Sequence, residues 1–564
     1  MKTASLFGPV LAAFLALSGA AQARNIVIFV ADGLRYGSVD AENMPNMYRL
    51  KTQGVDFTNS HSMFPTITTV NASAIATGHY IGDTGNFGNT IYSGAPLTSV
   101  KGNPIGGMEN PAVLAELNDR FGGNYLNEDS LMARARAAGF STAVIGKRGA
   151  SRIQDVTAAP DGSQTLILDD QYGRAGGFGL PAWFTSKMKD AFVPEDVPAA
   201  IQPNIAQEVQ LMKATTNIVL PHFKTQGKPF ALLYWCRDPD NTQHAAKDSV
   251  GEYAPGINSY TARIAARGAD AMLGELIASL KAQGLDKDTD IFVTADHGFL
   301  TVSHDSTTSP SAVSGQVKTG FVAADIAASL KLGKLSGNMI GNDPAKPDAI
   351  VVPNGGADLI YLPNANARKL ARDIVKFLTT QDYVASIFVN DKLGKVPGAL
   401  AMSDVNLIGS AKTPVPSIYV SFRTFAGHCE NALQCTVGVH DTGLAKGQGS
   451  HGGLSRAETR NFMAAIGPSF KAGYANPAPI SNADIAPTMA HVAGITLAPK
   501  GKLTGRVISE ALAGGAEVSV TKRTIQSAPA QNGQRTILNF QQVGEQRYFD
   551  AAGFAGRTVG LTPP

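Results

Sequence analysis

A layered α/β domain with a mostly parallel central sheet is what this sequence predicts, on three observations. Short apolar runs alternate with helical patterns along most of the chain. Several of those runs are apolar at every position, as in strands covered on both faces. Acidic and histidine side chains follow directly where the runs end, and in open parallel sheets ligand sites gather beyond the carboxyl ends of the strands.

The strands are expected at 25–31 (NIVIFVA), 142–145, 230–235, 291–294 and 461–466. Between the third and fourth, Met272, Leu273, Leu276, Ile277 and Leu280 recur at helical spacing, with Gly284 as a stop. From about 349 to 442 the pattern changes. AIVVP, DLIYL, SIFVND and SIYVSF read as strands around one helix at 366–378, so residues 346–445 are expected to form an inserted α+β subdomain. The core then comprises 24–345 and 446–512, and the extension 513–564 offers two β-like runs near 537–540 and 548–549 as a small β element.

With 564 residues, 44% of them hydrophobic, the chain is long enough for one large domain with insertions and is too apolar for a disordered polymer. Forty-eight basic against 45 acidic residues leave +3, and no basic run or aromatic–basic stripe points to a nucleic-acid duplex as partner. The segment 1–23 has the form of an export signal: Lys2, an apolar stretch at 6–17, and a small-residue exit ending Ala21-Gln22-Ala23. Cleavage between Ala23 and Arg24 is expected, with a periplasmic or secreted destination and no membrane span, since a span needs about 20 continuous apolar residues.

Disulfides persist in such compartments, and Cys429 and Cys435 in HCENALQC are expected to pair, closing a loop at a gain of roughly 2 kcal/mol. Cys236 follows a buried apolar run and is expected to be an unpaired small hydrophobe.

The chemistry lies in five short islands. Asp32 follows the first strand, Asp240 and His244 follow the third, and Asp296-His297 follow the fourth. His451 stands among Gly449, Gly452 and Gly453, and Thr68 lies in FPTITTVNASAIATG. Asp240 and His244, four apart, can face one ion from one helical turn. Carboxylate oxygen and imidazole nitrogen are ligands that zinc accepts. A threonine hydroxyl is a poor nucleophile until a cation stabilises its ionised form, so a Thr beside two ions can carry covalent catalysis without a histidine base.

In order and spacing these islands resemble the alkaline phosphatase superfamily, and its nucleotide pyrophosphatase/phosphodiesterase branch in particular. The quoted matches are Phe64-Pro65-Thr66-Ile67-Thr68 with Asn71 and Thr77-Gly78, then TADHGF at 294–299, GSHGG at 449–453, MAAIGPSF at 463–470 and DIAPTMAHVAGI at 484–495. The resemblance implies an alkaline-phosphatase-like three-layer sandwich and a two-zinc hydrolase of phosphate diesters or nucleotide pyrophosphate bonds. Another divalent metal could replace zinc. Asp32, Thr68, Asp296 and His297 would hold one ion, and Asp240, His244 and His451 the other. Thr68 would be the nucleophile, forming a phosphothreonine, and Asn89 would support a non-bridging oxygen.

The chain departs from that branch at Thr69-Val70-Asn71-Ala72, where Phe-Pro-Asn-His is common after the nucleophile. It also carries Lys147 after the second strand, where some phosphomonoesterase relatives have a phosphate-binding lysine. Two zinc ions, three aspartates and an ionised Thr68 sum to zero, so a dianionic monoester would need a further cation, and Lys147 is the candidate. From sequence it reads equally as a solvated loop charge. The alternatives are therefore a phosphomonoesterase, a phosphonate hydrolase, or an inactive binding protein on the same fold. No Cys- or Ser-x-Pro-x-Arg segment supports a sulfatase.

Overall fold

Seven consecutive covered residues, Asn25–Ala31, form β1 at the middle of the main sheet. The computed structural model describes residues 24–174, 177–333, 338–343, 345–427 and 429–563, and the export segment 1–23 lies outside the described residues. The other strands of this sheet are β2 (Val55–Phe57), β3 (Ser141–Gly146), β4 (Leu166–Asp169), β5 (Phe230–Cys236), β6 (Thr289–Thr294), β7 (Met463–Ile466) and β8 (Tyr474–Asn476). Their spatial order is β8, β2, β7, β6, β1, β5, β3, β4. β1 pairs in parallel with β5 and β6, and β3 in parallel with β5 and β4. β7 runs antiparallel to both of its neighbours, β6 and β2.

The helices that matter below are α1 (Thr68–Thr77), α2 (Ile205–Ala214), α3 (Asp240–Ala245) and α4 (Tyr260–Ala282). Alternate residues of β1 separate the interior into two layers. Ile26, Ile28 and Val30 pack with Val70, Ala74 and Ile75 of α1. Val27, Phe29 and Ala31 pack on the opposite face with Leu211 and Met212 of α2 and Leu273 and Leu276 of α4. Each fully buried Ile, Val or Phe contributes about 1.5–3 kcal/mol, which is why a strand apolar on both faces belongs in the centre. The result is the three-layer α/β sandwich expected from the sequence. Helix α4 begins at Tyr260, capped by Ser259 accepting from Ala262 N–H, and Gly284 in a left-handed turn (φ +69°) follows its end.

A six-stranded sheet, in the order Met339–Ile340, Ala349–Pro353, Ala357–Tyr361, Ile418–Phe422, Val384–Val389 and Leu400–Ala401, packs with the helix Ala367–Leu378. A four-stranded sheet joins Thr424–Ala426, Thr436–Val439, Leu300–Ser303 and Gly449–Ser450. Leu300 pairs with Ser450 there, which brings the glycine-flanked His451 beside the chain that has just left β6. Near the C-terminus, Thr521–Gln526, Ile537–Val543 and Gln546–Gly553 form a three-stranded antiparallel sheet whose Leu538, Phe549 and Ala552 join the main core. Cys429 and Cys435 are disulfide-bonded, and Cys236 is buried and free. Among the described residues no helix is long and apolar enough to cross a membrane.

The exit of β5 is clamped by Glu208 of α2. Its carboxylate accepts from Tyr234 Oη at 2.9 Å and from Arg237 N–H at 2.6 Å. Burial, aided by nearby Asp238, raises the Glu208 carboxyl from 4.5 to about 7. A raised carboxyl favours the protonated fold, so its contribution to stability is present below pH 4.5 and is lost as pH rises towards 7. Glu208→Gln is therefore expected to flatten the fall in melting temperature between pH 5 and pH 8, as read by thermal unfolding at each pH.

Candidate active site

The sheet delivers three carboxylates to one edge. Asp32 is the first residue past β1, Asp240 opens α3 shortly after β5, and Asp296 is the second residue past β6. Backbone bonds hold these exits together: Asp32 N–H donates to Cys236 O at 3.1 Å, and Asp240 N–H to Asp32 O at 2.9 Å. Gly33 makes the turn after Asp32 with φ +69°, and its N–H donates to Asp296 Oδ1 at 2.9 Å. A Cβ there would meet the Phe299 ring at 2.9 Å and Asp240 Cβ at 3.1 Å, so the turn requires glycine.

Three imidazoles face these carboxylates in one tautomer. His244 Nδ1 lies 2.8 Å from Gly449 O, His297 Nδ1 2.9 Å from Gly298 O, and His451 Nδ1 2.7 Å from Thr66 O. A carbonyl oxygen only accepts, so each Nδ1 carries the hydrogen, and when the ring is neutral its Nε2 presents a lone pair. Those Nε2 atoms converge: His244 and His451 lie 3.2 and 3.4 Å from Asp240 Oδ1, and His297 lies 3.2 Å from Asp296 Oδ2.

On the carboxylates, Asp32 Oδ1, Asp240 Oδ1 and Asp296 Oδ2 are buried and have no hydrogen-bond donor. Orphaned acceptors facing imidazole lone pairs suit a cation, because a bound cation satisfies both. Two sets of potential ligand atoms lie within 4.8 Å of one another, Asp240 with His297 and His451, and Asp32 with Asp296 and His297. Burial takes His297 down to about 3 and, with His297 beside it, His451 to about 4, which keeps both rings neutral as ligands must be. Burial raises Asp296 to about 6, and burial with the neighbouring Asp296 raises Asp32 far above the ordinary carboxylate range. Asp240 is held well below that range, because Lys147 and His244 outweigh its burial.

Thr68 is fully buried at the first position of α1, where the helix N-terminus favours negative charge. Its Oγ1 is 3.3 Å from His297 Nε2 and 3.4 Å from Lys147 Nζ. Asn89 Oδ1 accepts from Thr69 N–H at 2.9 Å, which turns the Asn89 amide nitrogen away from that contact as a donor group. Lys147, only 5% exposed, is no solvated loop charge. Although burial opposes its charge, Asp240 (3.2 Å), Asp32 (3.0 Å) and Glu109 (3.3 Å) hold the ammonium protonated well above the ordinary lysine range. The structure thus brings Asp32, Thr68, Lys147, Asp240, His244, Asp296, His297 and His451 into one cluster of contacts.

Several supporting residues carry no sequence signal of their own. Trp235 Nε1 donates to Asp32 Oδ2 at 2.7 Å, yet it reads as one more apolar residue of β5. Glu458 accepts from Gly453 N–H at 2.7 Å and Ser455 Oγ at 2.7 Å, fixing the loop of His451. Asn482 donates to Asp296 O at 2.7 Å and to Asn71 Oδ1 at 2.9 Å, tying α1 to the end of β6. A separate cluster, His79 with Asp83 and Glu128, is of another kind. Both ring nitrogens face carboxylates, and those carboxylates already accept backbone N–H groups from Ser410, Lys500, Gly501 and Leu503. It pins surface loops to the core.

The fold is that of the alkaline phosphatase superfamily. The family model described as Type I phosphodiesterase / nucleotide pyrophosphatase matches residues 26–331, more than half of the chain, and the chain belongs to that family of hydrolases of phosphate esters and nucleotides. The matched stretch contains Asp32, Thr68, Asn89, Lys147, Asp240, His244, Asp296 and His297, and His451 lies beyond it. No curated protein matches the chain.

Trp235→Phe removes the donor that orients Asp32 while keeping an aromatic ring in β5. It is expected to weaken divalent-metal affinity by about 10–100-fold with the fold retained, measured by competition with a chromogenic chelator and by circular dichroism.

Proposed function

We propose that this protein is an exported two-metal phosphodiesterase or nucleotide pyrophosphatase that works through a phosphothreonine at Thr68. The observation that carries the reading is the Thr68 hydroxyl, set 3.3 Å from the neutral His297 Nε2 among orphaned carboxylate oxygens. Asp32, Asp296, His297 and Thr68 would hold one divalent ion, and Asp240, His244 and His451 the other, with zinc favoured by the mixed nitrogen and oxygen donors. Bound there, the ions would promote ionisation of the hydroxyl and of water and offset charge on the phosphoryl oxygens.

The residues of the chain then divide the work. Thr68 Oγ attacks phosphorus; its P–O bond forms as the ester P–O bond breaks, and the alcohol or nucleotide leaves. The N-terminus of α1 and the Asn89 amide stabilise the non-bridging oxygens through both steps. Water then cleaves the threonine phosphoester, releasing the phosphorylated product and restoring the hydroxyl. Export is supported by the Cys429–Cys435 disulfide together with the signal-like pattern of 1–23.

A second reading, phosphomonoesterase activity, is favoured by one observation, the Lys147 ammonium 3.4 Å from Thr68 Oγ1. Parallel kinetics on bis-p-nitrophenyl phosphate and p-nitrophenyl phosphate decide between them, with faster diester hydrolysis expected.

Thr68→Ala is expected to lower turnover by more than about a thousandfold while metal content stays near that of the parent, because the six Asp and His side chains remain. Ready turnover by that variant would remove Thr68 as nucleophile. Exhaustive dialysis against a chelator is expected to abolish activity, and added zinc to restore it. Full activity in a sample shown metal-free by elemental analysis would sink the two-metal reading.

A further inference from the structure

Glu109 places beside Lys147 a negative charge that the chemistry above does not use. It follows the antiparallel pair Thr90–Leu97 and Asn103–Gly107 and lies over the turn at Gly149, where a Cβ would meet Glu109 Cα at 2.6 Å. Its side chain is 34% exposed, the most of the three carboxylates around Lys147, while Oε1 is buried without a hydrogen-bond partner, 3.3 Å from Lys147 Nζ.

Lys147 has three carboxylate neighbours, Asp32, Asp240 and Glu109. If Thr68 attacks phosphorus between two cations, Asp32 and Asp240 share their charge with those cations. Glu109 faces none of the imidazoles and remains the counterion of Lys147. The nearby guanidinium of Arg237 is already committed to Asp170 at 2.7 Å.

We propose that Glu109 sets the charge of the substrate: paired with Lys147, it cancels the ammonium beside Thr68 and selects a singly charged phosphoryl diester over a dianionic monoester. Two effects act in the same direction. The neutralised ammonium attracts a second phosphoryl charge weakly, and the negative carboxylate beside it repels that charge. Glu109 is therefore a specificity-determining residue, and it rests on the reading of Thr68 as the nucleophile.

The test compares the zinc-loaded parent, Glu109→Gln, Glu109→Ala and the double variant Glu109→Gln/Lys147→Met on p-nitrophenyl phosphate and bis-p-nitrophenyl phosphate. The monoester-to-diester ratio of kcat/KM is expected to rise about tenfold in both single variants and to return towards the parent value in the double. A binding readout accompanies it: in a Thr68→Ala background, Glu109→Gln is expected to tighten inorganic phosphate about fivefold by titration calorimetry and dimethyl phosphate by distinctly less. A ratio within about twofold of the parent, with unchanged phosphate affinity, overturns the proposal and leaves Glu109 a packing residue. A parent that cleaves neither ester, or a Thr68→Ala variant that remains active, overturns the functional reading itself, and the proposal with it.

Discussion

Everything at this site depends on one repeated interaction, an imidazole Nδ1–H donated to a backbone carbonyl. His244, His297 and His451 each make it, to Gly449, Gly298 and Thr66. The acceptors are main chain, so the direction of each Nε2 lone pair is as rigid as the fold. Thr66 lies two residues before Thr68, and its hydroxyl also bonds both Gly452 N–H and Gly453 O. One short stretch therefore positions Thr68 and orients an imidazole from a distant part of the chain.

The electrostatic counterpart is crowding. Three aspartates enter one dry edge of the sheet, and like charges so close cannot all ionise unless positive charge joins them. Lys147 supplies part of it from within the protein, while burial and the neighbouring carboxylates still raise Asp32 and Asp296. The contrast with His79, Asp83 and Glu128 is instructive, because there backbone N–H groups take the carboxylate oxygens and leave none orphaned. Similar residue types thus make a pinned surface in one place and a receptive centre in another.

Much of this was legible in the sequence because buried strands announce themselves as unbroken apolar runs, and Asp32, Asp240 and Asp296 stand just past three of them. The family motifs around Thr68 and His451 added the rest of the cluster. What could not be read has physical causes. β2 and β8 have three residues each, too few to show a period, and the reversed direction of β7 leaves no trace in composition. Lys147 carries the charge of a solvated residue, and only the convergence of three carboxylates reveals why it is buried. Glu109 lies in a loop beyond a hairpin, where no spacing rule links it to Lys147. Trp235 looked purely apolar because its single N–H, not its ring, does the polar work.

The position of His451 in the chain has a consequence for the order of assembly. Asp32, Asp240, His244, Asp296 and His297 all come before residue 300, whereas His451 follows the whole six-stranded sheet. Its loop is also keyed to that sheet, since Gly356 N–H donates to His451 O at 2.9 Å. A chain emerging from its N-terminus can build β1 to β6 and still present an open, five-sided cradle; the last wall arrives only when the second sheet has docked. Closure of the site is thus a late event in the maturation of this protein, and it belongs to whichever compartment holds the chain when residue 451 finally reaches its place.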